Sequence, residues 1–425
     1  SAGLDQRILR NMVKEVLDAD IEIPEILPEN ILRNNNLAPL NKALNDIHFS
    51  NGINELNDAI NRLKFDEHFF LQLLMALRKQ KVQTSGTKPL PDIGPYFRTI
   101  SDTLDFELTG AQKKVIKEIH SDLKRSFPMN RLIQGDVGCG KTIVAILVSA
   151  LAVGNNVQVA IMAPTEILAS QHYHSFKGKL EKVNIPCTLL VGKMKKSDRG
   201  PILSGLKNGN IPVVIGTHAL IQDDLMFKNL RLVIVDEQHR FGVNQRSALL
   251  EKGHHPHFMA MTATPIPRTL SITYHGDMDL SIIDEMPANR IPVITKVVEP
   301  ERLNKIYTFI KQEVAAGRQC MVVYPLVEES EKSDLAAAVE AHKELDDKRF
   351  PDLNVGLIHG RMNTDEKENT INKFVRNEIK ILISTTVIEV GVDIPNASVM
   401  LVEHAERFGL TQLHQLRGRV GRGAE

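Results

Sequence analysis

Cysteines and long hydrophobic runs are both scarce in this chain. Its three cysteines, Cys139, Cys187 and Cys320, lie far apart and form no CxxC pair, which disfavours a disulfide framework and a zinc cluster. No apolar stretch approaches the ~20 residues that a membrane helix needs. The longest candidate, residues 143–153, is interrupted by Ser149 and predicts a buried helix. We therefore expect a soluble protein with no membrane partner.

A charge excess and a secretory signal are absent as well. The 52 Lys and Arg residues balance 52 Asp and Glu residues, so any nucleic-acid partner must be held by local clusters and backbone amides rather than by a global basic field. No basic segment followed by an apolar one opens the chain, which favours a cytoplasmic location. Composition by itself does not indicate DNA binding.

The texture of the sequence changes along its 425 residues, a length that suggests two to four domains. Up to about residue 84, apolar residues recur at three- and four-residue spacings, as in "LDQRILRNMVKEVLD", which predicts helices. After the turn-rich "TSGTKPLPDIGPY", short β-branched runs such as "VQVAIMAP" and "RLVIVDE" predict parallel strands buried on both faces. The same texture returns after "DEMPANRIPVI". We predict an α/β fold with a helical segment at 1–88 and two similar domains at 89–287 and 288–425.

A glycine-rich stretch, residues 135–142, matches the GxxxxGK[ST] pattern at every fixed position. The flanking residues predict a strand before it and a helix after it, the order that a phosphate-binding loop requires. Glycines let backbone N–H groups turn towards a β-phosphate, and the helix N-terminus adds favourable dipole charge. Lys141 is then expected to meet the β- and γ-phosphates of ATP, and Thr142 to ligate Mg²⁺. A chance Gly-rich turn is the alternative. The predicted ATP-binding residues of the loop are Gly135, Asp136, Val137, Gly138, Cys139, Gly140, Lys141 and Thr142.

An acidic pair follows the apolar run "LVIV" at residues 232–235. Asp236 is expected to hold Mg²⁺, and Glu237 to polarise the attacking water. The alternative is an acidic helix cap, which is common after strands in α/β folds.

Arginines close the sequence in "QLHQLRGRVGRG". Gln415, Arg417, Arg419 and Arg422 fall in a Gly-spaced run that could carry guanidinium groups into a tight ATP site. Arg419 and Arg422 are the predicted catalytic arginines opposite the γ-phosphate. The alternative is a basic surface patch that contacts nucleic-acid phosphates.

Several stretches occur in the order of the superfamily 2 helicase motifs: GDVGCGKT, APTEILASQH, GTHAL, DEQHRFGVNQR, TATPIPRTL, STTVIEVGVDIP and HQLRGRVGRG. Together, over roughly residues 106–425, they closely resemble the RecG family of branched-DNA helicases. The resemblance implies two RecA-like parallel-sheet lobes of the P-loop NTPase class, preceded by an all-α segment. It also implies an ATP- and Mg²⁺-dependent DNA helicase that acts on stalled replication forks and Holliday junctions in recombination and repair. ATP hydrolysis across the lobes would drive translocation on duplex DNA.

The resemblance assigns further residues by position. Gln112 in "FELTGAQ" would contact adenine, and Asp393 would approach the ribose. Small residues and hydroxyls suit a nucleic-acid track, because they let backbone N–H groups approach phosphates without reading bases. "TAT" and "STT" are also ordinary strand-end sequences, so a structural role stays open for them. The implied residues for DNA binding or coupling are Pro164, Thr165, Gln171, Gly216, Thr217, His218, Thr262, Ala263, Thr264, Thr385, Thr386 and Glu389.

The family pattern also defines the alternatives. The transcription-repair coupling translocase shares "HRFGV" and "TATPIPRTL" but typically reads DEEH, so Gln238 favours RecG and disfavours DEAD-type RNA helicases. A branched-DNA binding module without ATPase activity is disfavoured because every group that hydrolysis requires is present. The resemblance implies that the family's N-terminal wedge and C-terminal segment are missing here. We expect a monomer with branched or duplex DNA as partner.

Three histidines, His254, His255 and His257, gather in "GHHPHF". Pro256 indicates a loop before a strand, so we predict a solvent-exposed turn rather than a metal site.

Overall fold

The computed structural model describes residues 5–19, 23–84, 86–192, 194–238, 241–263, 278–287, 293–325, 345, 349–360, 362–385, 394 and 396–421. Two compact units are distinguished, one containing the chain up to Lys81 and one containing most of the chain from Val82 onwards. No described helix is both long enough and apolar enough to cross a membrane. The domain boundaries at residues 88 and 287 stay predictions.

Among the described residues, helices account for all regular structure up to residue 84, and both strands and helices occur after residue 130. The described α-helices are α1 (Gln6–Asp18), α2 (Glu29–Asn34), α3 (Leu40–Phe49), α4 (Ile53–Thr84), α5 (Gly94–Asp102), α6 (Gly110–Leu123), α7 (Lys141–Gly154), α8 (Glu166–Leu180), α9 (Lys196–Asn208), α10 (Val243–Glu251), α11 (Leu303–Ala315), α12 (Thr364–Val375) and α13 (Leu410–Arg417). The described strands are β1 (Asn130–Gly135), β2 (Gln158–Met162), β3 (Cys187–Leu190), β4 (Val213–Gly216), β5 (Leu230–Asp236), β6 (His257–Thr262), β7 (Asp279–Ile283), β8 (Gln319–Val323), β9 (Val355–Ile358), β10 (Ile381–Ser384) and β11 (Ala397–Val402).

The described residues of the first unit form helices, as the apolar spacing predicted. Helix α1 begins after Asp5, whose Oδ1 accepts the Ile8 N–H at 2.8 Å and so satisfies a free helix-end donor. Pro28 and Pro39 stand directly before α2 and α3, where the missing N–H removes no helical hydrogen bond.

A buried arginine holds the chain before α2 and the start of α3 against α4. Arg62 on α4 is 0% exposed, and its Nη2 donates to Glu25 Oε1 at 2.6 Å while its Nε donates to Asp66 Oδ1 at 2.9 Å. Glu25 also accepts the backbone N–H groups of Leu27 and Leu40, each at 3.0 Å. Because a buried charge without partners is strongly unfavourable, this cluster specifies how α4 packs.

Lobe 1 is a seven-stranded sheet in the order β3-β4-β2-β5-β6-β1-β7, with every pair parallel. Helix α7 lies in the core with every residue from Ile143 to Ala152 buried, which accounts for its uninterrupted apolar run. The sequence indicated β1, β2, β4, β5 and β6, but missed β3 and β7. Both are short strands at the sheet edges and only partly buried, so neither carries a continuous apolar run.

Lobe 2 is a four-stranded parallel sheet in the order β11-β8-β10-β9. Its core forms between β8, β10 and the flanking helices, with Ile310, Val322 and Ile383 among the buried residues. The two predicted parallel-sheet lobes are therefore confirmed.

Parallel pairing brings three strand ends of lobe 1 to one edge. The central strands run β5-β6-β1, with Asp236 opposite Met261 and Thr262 opposite Gln134. Because parallel strands end at the same edge of a sheet, the chain leaves this edge at Gly135, Asp236 and Thr262.

The histidine stretch differs from the prediction. His254 and His255 are exposed, but His257 is the first residue of β6 and is fully buried. Its Nδ1 accepts the Met129 N–H at 3.0 Å, and burial lowers the pKa of His257 to about 4. The solvent-exposed turn therefore ends before His257, whose ring is buried at the start of the strand with its Nδ1 paired to a backbone donor.

We predict that Glu25→Gln destabilises α2–α4 at pH 7 by about 1–3 kcal/mol, because it weakens charge-assisted hydrogen bonds to a buried guanidinium. The bonds from Arg62 lower the pKa of Glu25 from 4.5 to about 2. A carboxyl with a lowered folded-state pKa stabilises the fold above pH 4.5, and this contribution is lost as the pH falls towards 2. The difference in stability of α2–α4 between the parent and the variant should therefore shrink as the pH falls from 4.5 towards 2. Hydrogen–deuterium exchange, corrected for intrinsic exchange rates, would measure it.

Glu29→Gln is the matched control, since Glu29 pairs with Arg33 on an exposed surface where both side chains are 76% accessible. Such a pair contributes about 0–1 kcal/mol. Equal protection in the parent and in Glu25→Gln would contradict the assigned role.

Candidate functional site

The phosphate-binding loop leaves β1 at Gly135 and enters α7 at Lys141. Gly138 and Gly140 adopt left-handed backbone conformations with φ of +84° and +89°, which side chains disfavour. A Cβ at Gly135 would lie 2.5 Å from the sulfur of Cys139. The loop therefore needs its glycines both for backbone direction and for close packing.

Gln112 connects the start of α6 to this loop. Its Oε1 accepts the Thr109 N–H at 2.9 Å in a capping box, and its Nε2 donates to the carbonyl of Cys139 at 2.8 Å. The amide is buried, and a Cβ at Gly140 would collide with it. Gln112 thus holds the phosphate-binding loop through the Cys139 carbonyl. Its predicted contact with adenine stays a prediction. The Cys139 thiol is also buried, which raises its pKa.

Lys141 folds back over the loop. Its Nζ donates to the carbonyls of Gly135 at 2.7 Å and Asp136 at 3.0 Å. The ammonium group is therefore held at the mouth of the loop, on the side where backbone N–H groups converge at the start of α7.

Asp236 ends β5 with both carboxylate oxygens engaged. Oδ2 lies 2.8 Å from Nε2 of His172 on α8, and Oδ1 accepts the Glu237 N–H at 3.1 Å. Burial raises the pKa of Asp236, but the hydrogen bond and charge of His172 and the charge of Lys141 outweigh it, so the pKa lies below its ordinary value. Asp236 is thus an ionised carboxylate near enough to the loop lysine for the charge of Lys141 to act on it.

Glu237 adopts a left-handed backbone conformation, with φ of +48°, which costs energy for a residue other than glycine. Its Oε2 lies 3.5 Å from Thr262 Oγ1 and 3.4 Å from the Ala263 nitrogen. The turn therefore directs the Glu237 carboxylate towards the end of β6, where the sequence placed the coupling residues Thr262 and Ala263.

The residues expected to hold Mg²⁺ fit a hard cation. Thr142 is the second residue of α7, and Asp236 is an ionised oxygen donor across the same sheet edge. Among the described residues, no group of three or more His, Cys, Asp or Glu is arranged to hold a metal. NTPase magnesium sites take one or two protein oxygens and complete their shell with phosphates and water, so this donor set is suitable.

Helix α13 of lobe 2 carries the arginine motif against the loop of lobe 1. His414 Nε2 lies 2.9 Å from Asp136 Oδ1, and a Cβ at Gly418 would lie 2.5 Å from Val137 Cβ. Arg419, directly after Gly418, is 7% exposed, so the surface-patch alternative does not hold for it. Gln415 is half-buried on the same helix, and Arg417 is exposed with its Nη2 3.0 Å from His414 Nδ1.

The implied nucleic-acid residues of lobe 1 follow β2 and β4, which are neighbours with Met162 opposite Gly216. Pro164 and Thr165 lead into α8, where Thr165 accepts the Leu168 N–H at 3.3 Å as the N-cap. Gly216 ends β4, Thr217 follows it buried, and His218 is exposed. Gln171 is half-buried on α8.

Two buried hydroxyls in this set share an unusual property. Thr217 in lobe 1 and Thr385 after β10 in lobe 2 are each 2% exposed. Within the part of the chain that the structure describes, neither hydroxyl has a hydrogen-bond partner. A buried unpaired hydroxyl is costly, so the position of these two groups needs an explanation.

Some implied residues lie outside the described residues: Thr264, Thr386, Glu389, Asp393 and Arg422.

Two site residues were not found from the sequence. His172 and His414 both stand inside quoted motifs, yet neither received a role. A partial signal existed for His172, because it shares a buried helix face with Leu168, Ala169 and Phe176, and a polar residue on such a face needs a partner. Which partner it meets could not be read from the spacing.

Comparison with known proteins gives a consistent result. The family model described as DEAD/DEAH box helicase matches residues 109–272, and the model described as helicase conserved C-terminal domain matches residues 301–424. The two matches correspond to lobe 1 and lobe 2.

Curated relatives match along almost the whole chain. The ATP-dependent DNA helicase RecG of Synechocystis is 47% identical over 99% of this chain and 51% of the relative. That of Thermotoga maritima is 45% identical over 100% of this chain and 55% of the relative. The Escherichia coli O157:H7 protein is 42% identical over 99% of this chain. The chain thus spans about half of the length of the first two relatives.

Solved structures support the same assignment. The structure of RecG bound to a three-way DNA junction superposes with a TM-score of 0.83 at 42% identity, covering 100% of this chain and 56% of that one. Yeast Dbp5 bound to RNA gives a TM-score of 0.57 at 17% identity over 80% of this chain and 88% of that one, which shows a shared fold alone. With identities of 45–47% to RecG helicases along almost its whole length, and with a RecG structure that matches 100% of this chain over 56% of its own, this chain belongs to the RecG helicase family.

Proposed function

We propose that this chain is the motor part of an ATP-dependent DNA helicase that translocates on duplex DNA and acts on branched DNA, including stalled forks and Holliday junctions. One observation carries the proposal: the phosphate loop, the Asp236–Glu237 pair and the arginine-motif helix meet at one sheet edge. Phosphoryl transfer needs little beyond such positioning and charge stabilisation.

The loop supplies the phosphate contacts. Backbone N–H groups from Gly138 to Thr142 would surround the β-phosphate, and the γ-phosphate oxygens would replace the carbonyls that Lys141 now contacts at 2.7 and 3.0 Å. Exchange of neutral carbonyl acceptors for anionic oxygens strengthens the bonds of an ammonium group. Lys141 is thus poised for a phosphate.

Thr142 and Asp236 would hold Mg²⁺, and the ion would neutralise charge on the phosphates when bound. Glu237 would orient and polarise the attacking water from its position beside Thr262. Departure of the γ-phosphate would also change the surroundings of Thr262 and Ala263 at the end of β6, because Glu237 contacts both. Hydrolysis would in this way be linked to the implied coupling residues.

Lobe 2 would complete the site. His414 and Gly418 already contact the loop, and Arg419 lies buried next to them, so guanidinium charge could stabilise the transferring phosphoryl group. Three further residues keep their predicted roles in this proposal: Arg422 as a catalytic arginine, Gln415 at the nucleotide and Asp393 near the ribose. A site shared by two lobes couples ATP binding to closure and hydrolysis to opening.

The proposed DNA track runs over the carboxyl ends of β2 and β4 in lobe 1 and of β10 in lobe 2. The unpaired hydroxyls of Thr217 and Thr385 would be satisfied by phosphate oxygens, which carry no sequence information. Branched DNA is favoured over other nucleic acids because the RecG relative was solved on a three-way junction.

The alternatives keep distinct signatures. A transcription-repair coupling type of translocase would respond equally to any duplex, whereas a binding module would show no ATPase activity. A monomer and a cytoplasmic location remain expectations from the sequence.

We predict that Lys141→Ala lowers ATP turnover about 100-fold or more while DNA binding persists, because the loop lies apart from the proposed track. Steady-state ATPase rates should be compared with forked DNA, linear duplex, single-stranded DNA and RNA at matched concentrations. Forked DNA should stimulate most. Lys252→Ala is the matched control, since its Nζ also donates to a backbone carbonyl, that of Gln222 at 2.7 Å, but lies outside the site.

Equal rates in Lys141→Ala and the parent would refute the ATP site. Equal stimulation by every duplex would support a general translocase instead.

We predict that Gly418→Ala lowers kcat about 10- to 100-fold. The backbone at Gly418 has φ of −68°, which alanine adopts freely, so the effect should come from the new Cβ against Val137. Gly360→Ala in the same lobe is the control, because a Cβ there meets nothing within 4 Å. Unchanged kcat in Gly418→Ala, with thermal stability also unchanged, would show that this lobe contact is not used in catalysis.

We predict that Thr217→Val weakens binding of a fluorescein-labelled fork about 10-fold without lowering the free energy of unfolding, because it removes an unpaired hydroxyl. Fluorescence anisotropy titrations at several salt concentrations would measure it, and affinity should fall steeply with salt in all variants. Thr308→Val, which alters an exposed hydroxyl bonded to Asn304, should leave affinity unchanged. A loss of stability with unchanged affinity would assign Thr217 a structural role.

A further inference from the structure

His172 is a buried polar group to which none of the motif roles above assigns a function. It is 6% exposed and lies on α8, eight residues along the chain from Pro164. Its Nε2 lies 2.8 Å from Oδ2 of Asp236. Since Asp236 is ionised and can only accept, Nε2 must carry the proton and donate.

The ring is held in a single orientation. Phe176, one turn further along α8, packs edge-on against it with ring centroids 6.5 Å apart and an interplanar angle of 88°. Both residues belong to the buried face of α8. A side chain packed in this way has little freedom to rotate, so movement of α8 would carry the imidazole with it.

Two groups among the described residues support the Asp236 carboxylate. The Glu237 N–H holds Oδ1 from within the same turn, and His172 holds Oδ2 from the neighbouring helix. Metal-binding carboxylates depend on such outer hydrogen bonds for their orientation, and loss of one typically costs about 10- to 100-fold in metal affinity or activity. Of these two supports, the one from His172 comes from another element.

Helix α8 begins at the proposed DNA track. Thr165 caps its first turn, and His172 lies about two turns further along the same helix. A rigid helix of this length transmits a displacement at its start to its interior. One element therefore contacts both the track and the carboxylate expected to hold the metal.

We propose that His172 is a positioning residue for Asp236 and that α8 through it couples nucleic-acid binding to metal binding at the ATP site. This inference rests on the proposed function. Contact of DNA phosphates with the start of α8 shifts His172, and the shift changes the orientation of the carboxylate that receives the metal. By linkage, metal binding changes DNA affinity by the same factor.

The test measures metal binding directly rather than turnover. Mn²⁺ is titrated into each variant with ADP, and the free ion is followed by electron paramagnetic resonance, with and without forked DNA. His172→Leu removes the donor and fills the buried space with an apolar side chain. His172→Gln instead provides an N–H donor at a similar reach. His174→Leu is the matched control, because His174 is exposed on the same helix.

We expect His172→Leu to weaken Mn²⁺ binding about 10- to 100-fold, with ADP binding in the absence of metal unchanged. His172→Gln should recover most of the affinity, and His174→Leu should match the parent. Forked DNA should change the Mn²⁺ affinity of the parent about 5-fold or more, and this change should vanish in His172→Leu.

Equal Mn²⁺ affinity in the parent and His172→Leu would overturn the positioning role while leaving the proposed function intact. A DNA effect of the same size in both would overturn the link through α8. If His172→Leu does not fold, His172→Gln and His172→Asn give the same comparison, since the shorter amide cannot reach Asp236. Failure of the parent to bind Mn²⁺ with ADP would instead refute the proposed function, and this inference with it.

Discussion

Parallel strand pairing in lobe 1 is the constraint on which the site depends. The order β5-β6-β1 brings Asp236, Thr262 and Gly135 to one edge, although they come from distant parts of the chain. Hydrogen bonds between parallel strands set this register, and a slip by one residue would turn every side chain to the other layer and disrupt its close packing. The phosphate-binding loop, the Asp236 carboxylate and the end of β6 are therefore neighbours because of the order of the strands in the sheet. Side-chain contacts only refine their geometry.

Buried charged groups refine the geometry of the site. Arg131 on β1 is 8% exposed and donates to Asp122 at 2.6 Å and to Ser281 at 2.7 Å, which ties α6 and β7 to the strand that carries the phosphate loop. Asp236 is held between His172 and Glu237 in the same manner. In each case desolvation would be unfavourable without partners, so the partners specify position as much as they add stability.

Close packing at two glycines is a third constraint on the geometry of the site. Gly140 leaves room for the Gln112 amide, and Gly418 leaves room for Val137 across the two lobes. A methyl group at Gly140 would displace the Gln112 amide, and one at Gly418 would collide with the short, β-branched side chain of Val137. The loop is thus packed between α6 of its own lobe and α13 of lobe 2, and such a packed contact transmits closure more directly than a loose one.

Much of the fold and the ATP site could be predicted from local patterns. The loop 135–142 and the strand ending at Asp236 are contiguous, so fixed spacing and apolar runs identified them, and the order of the motifs indicated the family. The edge strands β3 and β7 could not be found in this way, because partial burial leaves no continuous apolar run. The buried state of His257 was mispredicted, since a neighbouring Pro256 indicates a turn but says nothing about the distant Met129 N–H that pairs with its Nδ1.

The sequence by itself determined the loop chemistry, the class of each lobe and the family. Only the tertiary structure decided which distant groups meet: His172 with Asp236, His414 with Asp136, and Gly418 with Val137. The physical reason is that local backbone preferences and apolar periodicity act over a few residues, whereas these contacts arise from sheet order and from the packing of lobe against lobe. No spacing along the chain encodes them.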